Sequence, residues 1–507
     1  MHDGSSHAGP KRLLLAVIVL GTLLRAAIAA TLGLGIDESY AVVVARTPSW
    51  ATFDHPGLSF WIPGLLARAT GSENALLVRA PFILMFAGTT WLVFRLGEEL
   101  GGARAGATAA LLLAIAPVFT VAAGGWVLPD GPLDLFMAGA VLCLGRAITG
   151  PPERATRWWL FAGLCGACAA LSKYQAIFLP IGAALFFATS RRSRRAFAGA
   201  GPPAAALIAA LGAVPTVAWN ASHGWASFAF QLGRGAHGRE SGVVALLENV
   251  AGQALYLLPW LWVPLAVVLV RALRRGPSDP VRWLLCCMAA PPIAFFTLVS
   301  LGGNPGLPHW PMVGYLMVFP LLGDAVARRL AARDRRTRRW LAASVGLFAA
   351  VLALFWTQAA TGWLGRVAPA VVAAGDPTLD LVDWTDAQPA LARLGAGTAG
   401  GPFVAAVKWT DAGKIGYALG PHVPVLCLCG APHQFGYLPG ASTFIGRDAV
   451  IVDRSRGPSG VRRAYAPYFS RIDPIAPIIV HRLGRPVLTI QAFLAHGYRT
   501  VYPGSTR

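Results

Sequence analysis

The sequence predicts a polytopic α-helical membrane protein followed by a small α/β domain, and three observations carry that prediction. Of 507 residues, 55% are hydrophobic and 13% charged, about half the charged share of an ordinary globular protein. Long uncharged runs recur between short Arg-rich patches, as a bilayer core ~30 Å thick requires. Beyond residue 360 the chain changes character, gaining charges and short β-rich runs broken by Gly and Pro.

The formal charge of +20 invites a nucleic-acid reading. Its distribution argues otherwise, because Arg and Lys gather in brief segments beside hydrophobic runs, the pattern that orients membrane helices. No basic face with interleaved aromatics can be drawn from these spacings, so no nucleic-acid partner is expected. The seven cysteines give no disulfide framework. Cys143, Cys165, Cys168, Cys286 and Cys287 read as small packing residues in apolar segments. Cys427 and Cys429 alternate along a strand and share a face, where packing again outweighs a metal site.

Residues 1–12 are polar and end in Lys11-Arg12, and residues 13–34 are apolar except for Arg25. Ala27-Ile28-Ala29 resembles a signal-peptidase site, but the apolar stretch is longer than a signal h-region and many spans follow. Residues 35–76 form a mixed first loop with Pro48, Pro56 and Pro63 and an amphipathic stretch at the interface. Further spans are expected at 80–96, 105–123, 133–148, 158–171, 174–189, 196–217, 255–270, 283–301, 310–326 and 340–356, about 11 with the first. This divides the chain into a membrane domain over 1–360 and an extracytoplasmic domain over 361–507. Strands are expected at 403–409, 423–428, 449–452 and 478–481, and a short helix at 491–496.

Counting fixes the orientation. With strict alternation, the connections on the side of Lys11 and Arg12 hold 22 Lys and Arg, against six on the other side: Arg46, Arg68, Arg79, Lys173, Arg234 and Arg239. Positive residues stay inside, so the N-terminus is cytoplasmic and residues 35–76 and 361–507 are outside.

The outside-facing polar residues can then be collected. The first loop supplies Asp37, Glu38, Tyr40, Asp54, His55 and Arg79. The next turn supplies Asp130, with Asp134 one helical turn deeper on the same face. Lys173-Tyr174 stand alone between two spans, and later loops add Arg234, His237 and His309. Adjacent acids such as Asp37-Glu38 are ordinarily a solvated helix end, and Lys173 could be an interfacial anchor. Asn220-Ala221-Ser222 matches a glycosylation triplet that arises easily by chance. Asp134 is harder to dismiss, since a carboxylate inside a span costs about 2.5–3.5 kcal/mol on insertion scales. Arg25 falls under the same argument, with snorkelling as its alternative.

Such a set suits a polyprenyl-phosphate sugar, whose phosphate sits at the membrane boundary with its tail among helices. The leaving phosphate needs cationic or hydrogen-bonding partners, a role for Lys173, His55, Arg79 or Arg234. The attacking hydroxyl needs a carboxylate to take its proton, a role for Asp37 with Glu38 or Asp130 in support. Tyr174, Asp134 and His309 complete the candidate donor-binding set, and direct displacement would invert the anomeric carbon. Trp61, Trp126, Trp225 and Trp310 are placed to stack on sugar or line a lipid entry.

At these residues the chain resembles the family 39 glycosyltransferases of GT-C architecture, which include protein O-mannosyltransferases and lipid A aminoarabinose transferases. The resemblance covers roughly residues 13–330. It rests on Arg25 leading to Asp37-Glu38-Ser39-Tyr40, then Asp54-His55-Pro56, Arg79-Ala80-Pro81, Leu128-Pro129-Asp130-Gly131-Pro132-Leu133, Leu171-Ser172-Lys173-Tyr174 and His309-Trp310-Pro311. It implies a GT-C fold, an extracytoplasmic site, an isoprenoid-phosphate sugar donor and inverting transfer in the inner membrane. It also implies that Asp37 corresponds to the catalytic loop acid and Asp130 to a second acid near the donor. Two departures stand out: Ala41 follows Tyr40 where a Tyr-Tyr doublet is the pattern, and His55 replaces the lysine of lipid A transferases. The second departure argues against a lipid A acceptor and aminoarabinose. The absence of lectin-like repeats argues against a protein O-mannosyltransferase.

A multi-span transporter or lipid flippase is the rival from another class. It predicts paired halves and a midplane polar path, and neither is visible here. A scaffold whose outer domain recruits partners leaves Asp130 and Asp134 without a role. Membrane lipids, the donor and an extracytoplasmic acceptor are the expected partners. No cofactor is required by the pattern; His55, Asp37 and Asp130 are ligand types for a divalent ion, their spacing does not decide whether they meet, and metal-independent chemistry is expected.

Overall fold

The computed structural model describes residues 5–234, 238, 241–373 and 375–503. His237 and Arg239 lie outside the described residues. The chain forms two compact units: Met1–Ala27, His55–Leu58 and Arg79–Leu352 make the first, and Ile28–Asp54, Ser59–Val78 and Ala353–Arg507 the second.

The first unit is helical, and the apolar stretches expected there fall largely on helix, with breaks that include 115–116, 198–200 and 317–318. Among the described residues, six helices are long and apolar enough to cross a membrane: Gly9–Thr31, Ala75–Ala114, Asp130–Thr149, Gly201–Ser222, Pro280–Gly302 and Arg335–Thr361. The pair Gly242–Leu257 and Pro259–Arg275 would add a seventh as a broken span, bent by 108° at Leu258. The 40-residue Ala75–Ala114 stretch breaks at Gly101-Gly102, where Gly102 has φ +80°, a conformation that L side chains avoid. Small residues set the close packing: a Cβ on Gly163 would meet the backbone of Ala205, and one on Gly166 the side chain of Ala209. The helices Pro152–Ser172 and Gly201–Leu211 therefore approach closely. Arg25 does not snorkel. Its Nε donates to the Thr120 carbonyl at 2.9 Å, and its guanidinium lies 4.2 Å from the centre of the Phe86 ring. It thereby satisfies a carbonyl of the π-helical segment Val118–Ala123, where helix geometry departs from the α pattern. Asn220 is buried, its amide donating to the Thr216 carbonyl and its oxygen accepting from Phe228 N. The triplet Asn220-Ala221-Ser222 is thus a packing feature rather than an accessible acceptor.

The second unit holds a five-stranded sheet of β1 (Phe403–Ala406), β2 (Val425–Cys427), β3 (Ala449–Asp453), β4 (Phe469–Arg482) and β5 (Arg485–Tyr498). The order is β2-β1-β3-β5-β4, with β1 parallel to β2 and β3, and the β4–β5 hairpin antiparallel. Phe403, Leu428, Ile451, Tyr465, Phe469, Phe493 and Tyr498 fill its core. Cys427 and Cys429 are buried with their sulfurs in contact. The helix expected at 491–496 is strand: Gln491, Ala492, Phe493, Leu494 and Ala495 pair with β3 along one edge of β5. A short apolar run does not distinguish helix from buried strand, and the ladder decided it.

Also in this unit, the helix Ile36–Ala45 packs on the helix Trp409–Leu419. The approach is close because Gly413 lies against the Tyr40 backbone and Gly416 against Val43. Lys414, buried, donates from Nζ to the Leu34 carbonyl at 2.7 Å and to the Asp380 carbonyl at 3.1 Å. The chain entering the Asp37 helix is thus held by the sheet domain.

Candidate active site

In the first unit the helix Pro152–Ser172 ends where Lys173 turns to extended backbone (φ −157°, ψ 149°) before the 3₁₀ turn Tyr174–Ile177. This break projects the Lys173 side chain inward. Its Nζ donates to Asp130 Oδ1 at 2.8 Å, and the Lys173 side chain is 5% exposed against 20% for Asp130. Asp130 opens the helix Asp130–Thr149, where the positive end of the helix dipole favours a carboxylate. Asp134 follows one turn deeper and is buried, within electrostatic reach of both Asp130 and Lys173.

Two histidines approach the same carboxylate, His309 and His55 both lying within electrostatic reach of Asp130. Burial first, and then the Lys173 ammonium, hold the His309 imidazole down to about 4, with Asp130 opposing and Arg234 acting like Lys173. His309 is therefore neutral at physiological pH. Arg234 stacks over Phe230 and Trp310, each ring centre 5.3 Å from its guanidinium carbon. Tyr174 shares a 2.6 Å hydrogen bond with Ser227. Arg79 is buried in this unit.

Beside this cluster runs a cavity of about 850 Å³. Its walls are almost wholly apolar, with Trp159, Leu179, Phe187, Ala205 and Phe228 among them, and Lys173 and Tyr174 also line it. An apolar channel with a buried cation at its wall suits an amphiphile with a long hydrocarbon chain and an anionic head.

The second unit treats the adjacent acids differently. Glu38 is buried, and its Oε2 accepts from Gly35 N at 2.8 Å, the N3 side-chain half of a capping box. Asp37, its neighbour on the first turn, is exposed. Behind them Tyr40 donates to Asp54, His433 Nδ1 bonds the other oxygen of Asp54, and Gln434 N donates to Tyr40 Oη at 2.8 Å. Burial and the Asp54 carboxylate push the Tyr40 phenol well above its ordinary range, so it stays a donor. Trp409 and Phe435 pack edge-on against the Tyr40 ring. His433 and Lys414 escaped the sequence reading, because nothing near them in the chain marks contact with the first loop.

Asp130, Asp134, Lys173, His309 and His55 are thus brought together in the first unit, with Tyr174 beside Lys173 and Arg234 within electrostatic reach of His309. Asp37 and Glu38 lie in the second unit. Among the described residues no group of three or more His, Cys, Asp or Glu converges as a metal site.

Residues 54–219 match the family model for dolichyl-phosphate-mannose-protein mannosyltransferase. No curated protein sequence matches the chain. Among solved structures, ArnT from Cupriavidus metallidurans in the apo state aligns at 16% identity and a TM-score of 0.63, covering 97% of this chain and 98% of that one. The same protein bound to undecaprenyl phosphate aligns at 15% identity and 0.62, covering 95% and 97%. The archaeal oligosaccharyltransferase AglB from Archaeoglobus fulgidus aligns at 14% identity and 0.49, covering 90% and 68%. The fold is that of ArnT along nearly its whole length, and the matching family model covers the segment that holds Asp130 and Lys173.

Proposed function

We propose that the protein transfers a sugar from a polyprenyl-phosphate donor to an extracytoplasmic acceptor with inversion at the anomeric carbon. The observation that carries this reading is Lys173, buried against Asp130 at the wall of an 850 Å³ apolar cavity. A polyprenyl chain matches the cavity and its phosphate matches the ammonium. The ArnT structure that shares the fold holds undecaprenyl phosphate, which supports the same donor class here.

In this reading Asp37 takes the proton of the attacking hydroxyl as the oxygen bonds to the anomeric carbon. The bond from that carbon to the phosphate oxygen breaks, and Lys173 stabilises the charge arriving on the phosphate. Asp130 and Asp134 orient the ammonium, while neutral His309 with Tyr174, Arg234, Arg79 and His55 completes the donor-binding set. Glu38 supports Asp37 through its cap. The membrane is the inner membrane, with the N-terminus cytoplasmic and residues 361–507 outside, following the Lys and Arg asymmetry.

The test is an assay of the purified protein with a panel of polyprenyl-phosphate sugars. The expected result is transfer that Asp37→Asn lowers by about 10²-fold or more. Unchanged turnover in Asp37→Asn would remove the base assignment. Counterflow of a labelled solute in proteoliposomes, with no covalent transfer from any donor, would replace the reading by a transporter.

A further inference from the structure

The first unit has a second cavity, of about 670 Å³, with a different lining. It includes Arg282, near the start of the helix Pro280–Leu298, whereas the His309 loop follows that helix's other end. At 1.5 Å per residue the 19-residue helix separates the two by roughly 28 Å. Six arginines line this cavity, Arg271 and Arg275 on one helix, Arg328 and Arg329 on another, and Arg282 and Arg336 on two more. One carboxylate, Asp324, lies among them, buried and bonded to Arg328 at 2.6 Å. Among the described residues, no carboxylate lies in ion-pair range of Arg271, Arg275, Arg329 or Arg336.

The remaining wall is apolar. Val263 and Val267 line it, and with Val270 they are 51%, 39% and 46% exposed. Their i, i+4, i+7 spacing puts them on one helix face. A soluble anion would use the arginines and leave that face uncovered; a lipid uses both. We propose that this cavity binds an anionic phospholipid, its phosphodiester held by the arginines and an acyl chain laid along Val263, Val267 and Val270. The pairing is charge-assisted and, for arginine, bidentate in geometry.

The experiment uses the full-length protein in nanodiscs of equal phosphatidylglycerol and phosphatidylcholine, transferred to detergent and read by native mass spectrometry. Retained phosphatidylglycerol is expected to exceed phosphatidylcholine by about tenfold. Arg275→Gln/Arg329→Gln is expected to abolish that preference, while Arg154→Gln/Arg157→Gln, an equal loss of charge elsewhere, preserves it. Val267→Asn is expected to weaken lipid retention while all six arginines remain, and it decides the matter if the double variant does not fold. Equal retention of the two lipids, equal loss in both double variants, or displacement of the lipid by millimolar inorganic phosphate would each overturn the proposal.

Discussion

Lys173–Asp130 in the first unit and Asp37-Glu38 in the second are both polar insertions into an apolar chain, and they are accommodated in opposite ways. Lys173 and Asp130 stand at two helix ends and neutralise each other at 2.8 Å. Such a pair adds little net stability, since desolvation offsets most of its attraction. Asp37 and Glu38 are neighbours that differ in burial. Glu38 is spent on the helix cap while Asp37 stays exposed. The first region keeps a charge by pairing it, and the second keeps one by giving its neighbour the structural task.

That contrast breaks first at Lys173. Lys173→Met should lower transfer by roughly 10³-fold, because the leaving phosphate loses its cation. It should also destabilise the protein by about 1–3 kcal/mol, because Asp130, half-buried, is left unneutralised. Double substitution with Asp130→Asn should restore thermal stability but not turnover. Recovery of both together would mean that the pair serves only packing.

The acid pair sharpens the comparison with smaller effects. Asp37→Asn should cut kcat by about 10²-fold and leave the unfolding temperature in place. Glu38→Ala should instead cost about 1 kcal/mol of stability through the lost cap. Exchange of these two phenotypes would reverse the assignment. Gly413→Val lies between them. A Cβ there would stand 2.9 Å from the Tyr40 backbone, and overpacking of this kind costs about 1–3 kcal/mol. Its signature is lower stability with a loss of kcat, measured as unfolding in denaturant beside turnover.

The two regions were not equally legible in the sequence. The helices and the polar residues between them were, because a bilayer forces long apolar runs and makes each charge conspicuous. Asp130, Asp134 and Lys173 could therefore be grouped before any fold was known. Arg25 was conspicuous too, yet its task of bonding the Thr120 carbonyl depends on a π-helical turn that no pattern announces. In the second unit the partners come from the far end of the chain. Gly413, Lys414 and His433 sit in ordinary-looking stretches, and only tertiary packing brings them to Tyr40, Leu34 and Asp54. The strand at 491–496 was misread for the same reason, its apolar run taking its form from β3 and β4 rather than from its own period.

The smallest predicted effect tests the electrostatics of the first region directly. His309 is held down to about 4 by burial and by Lys173. Removing the ammonium in Lys173→Met makes protonation easier, so the imidazole should titrate closer to 6.5, whereas Asp130→Asn should move it lower still. Chemical shifts of labelled histidine in detergent would read both. Linkage follows with a definite sign. Between 6.5 and about 4 the unfolded chain accepts a proton that folded His309 refuses, so this residue's stabilising contribution is full above that window and declines as pH falls through it. In Lys173→Met the window should narrow from its acid end. A His309 titration indifferent to both substitutions would mean that burial alone sets it, and that Lys173 and Asp130 do not share a field with the loop of His309.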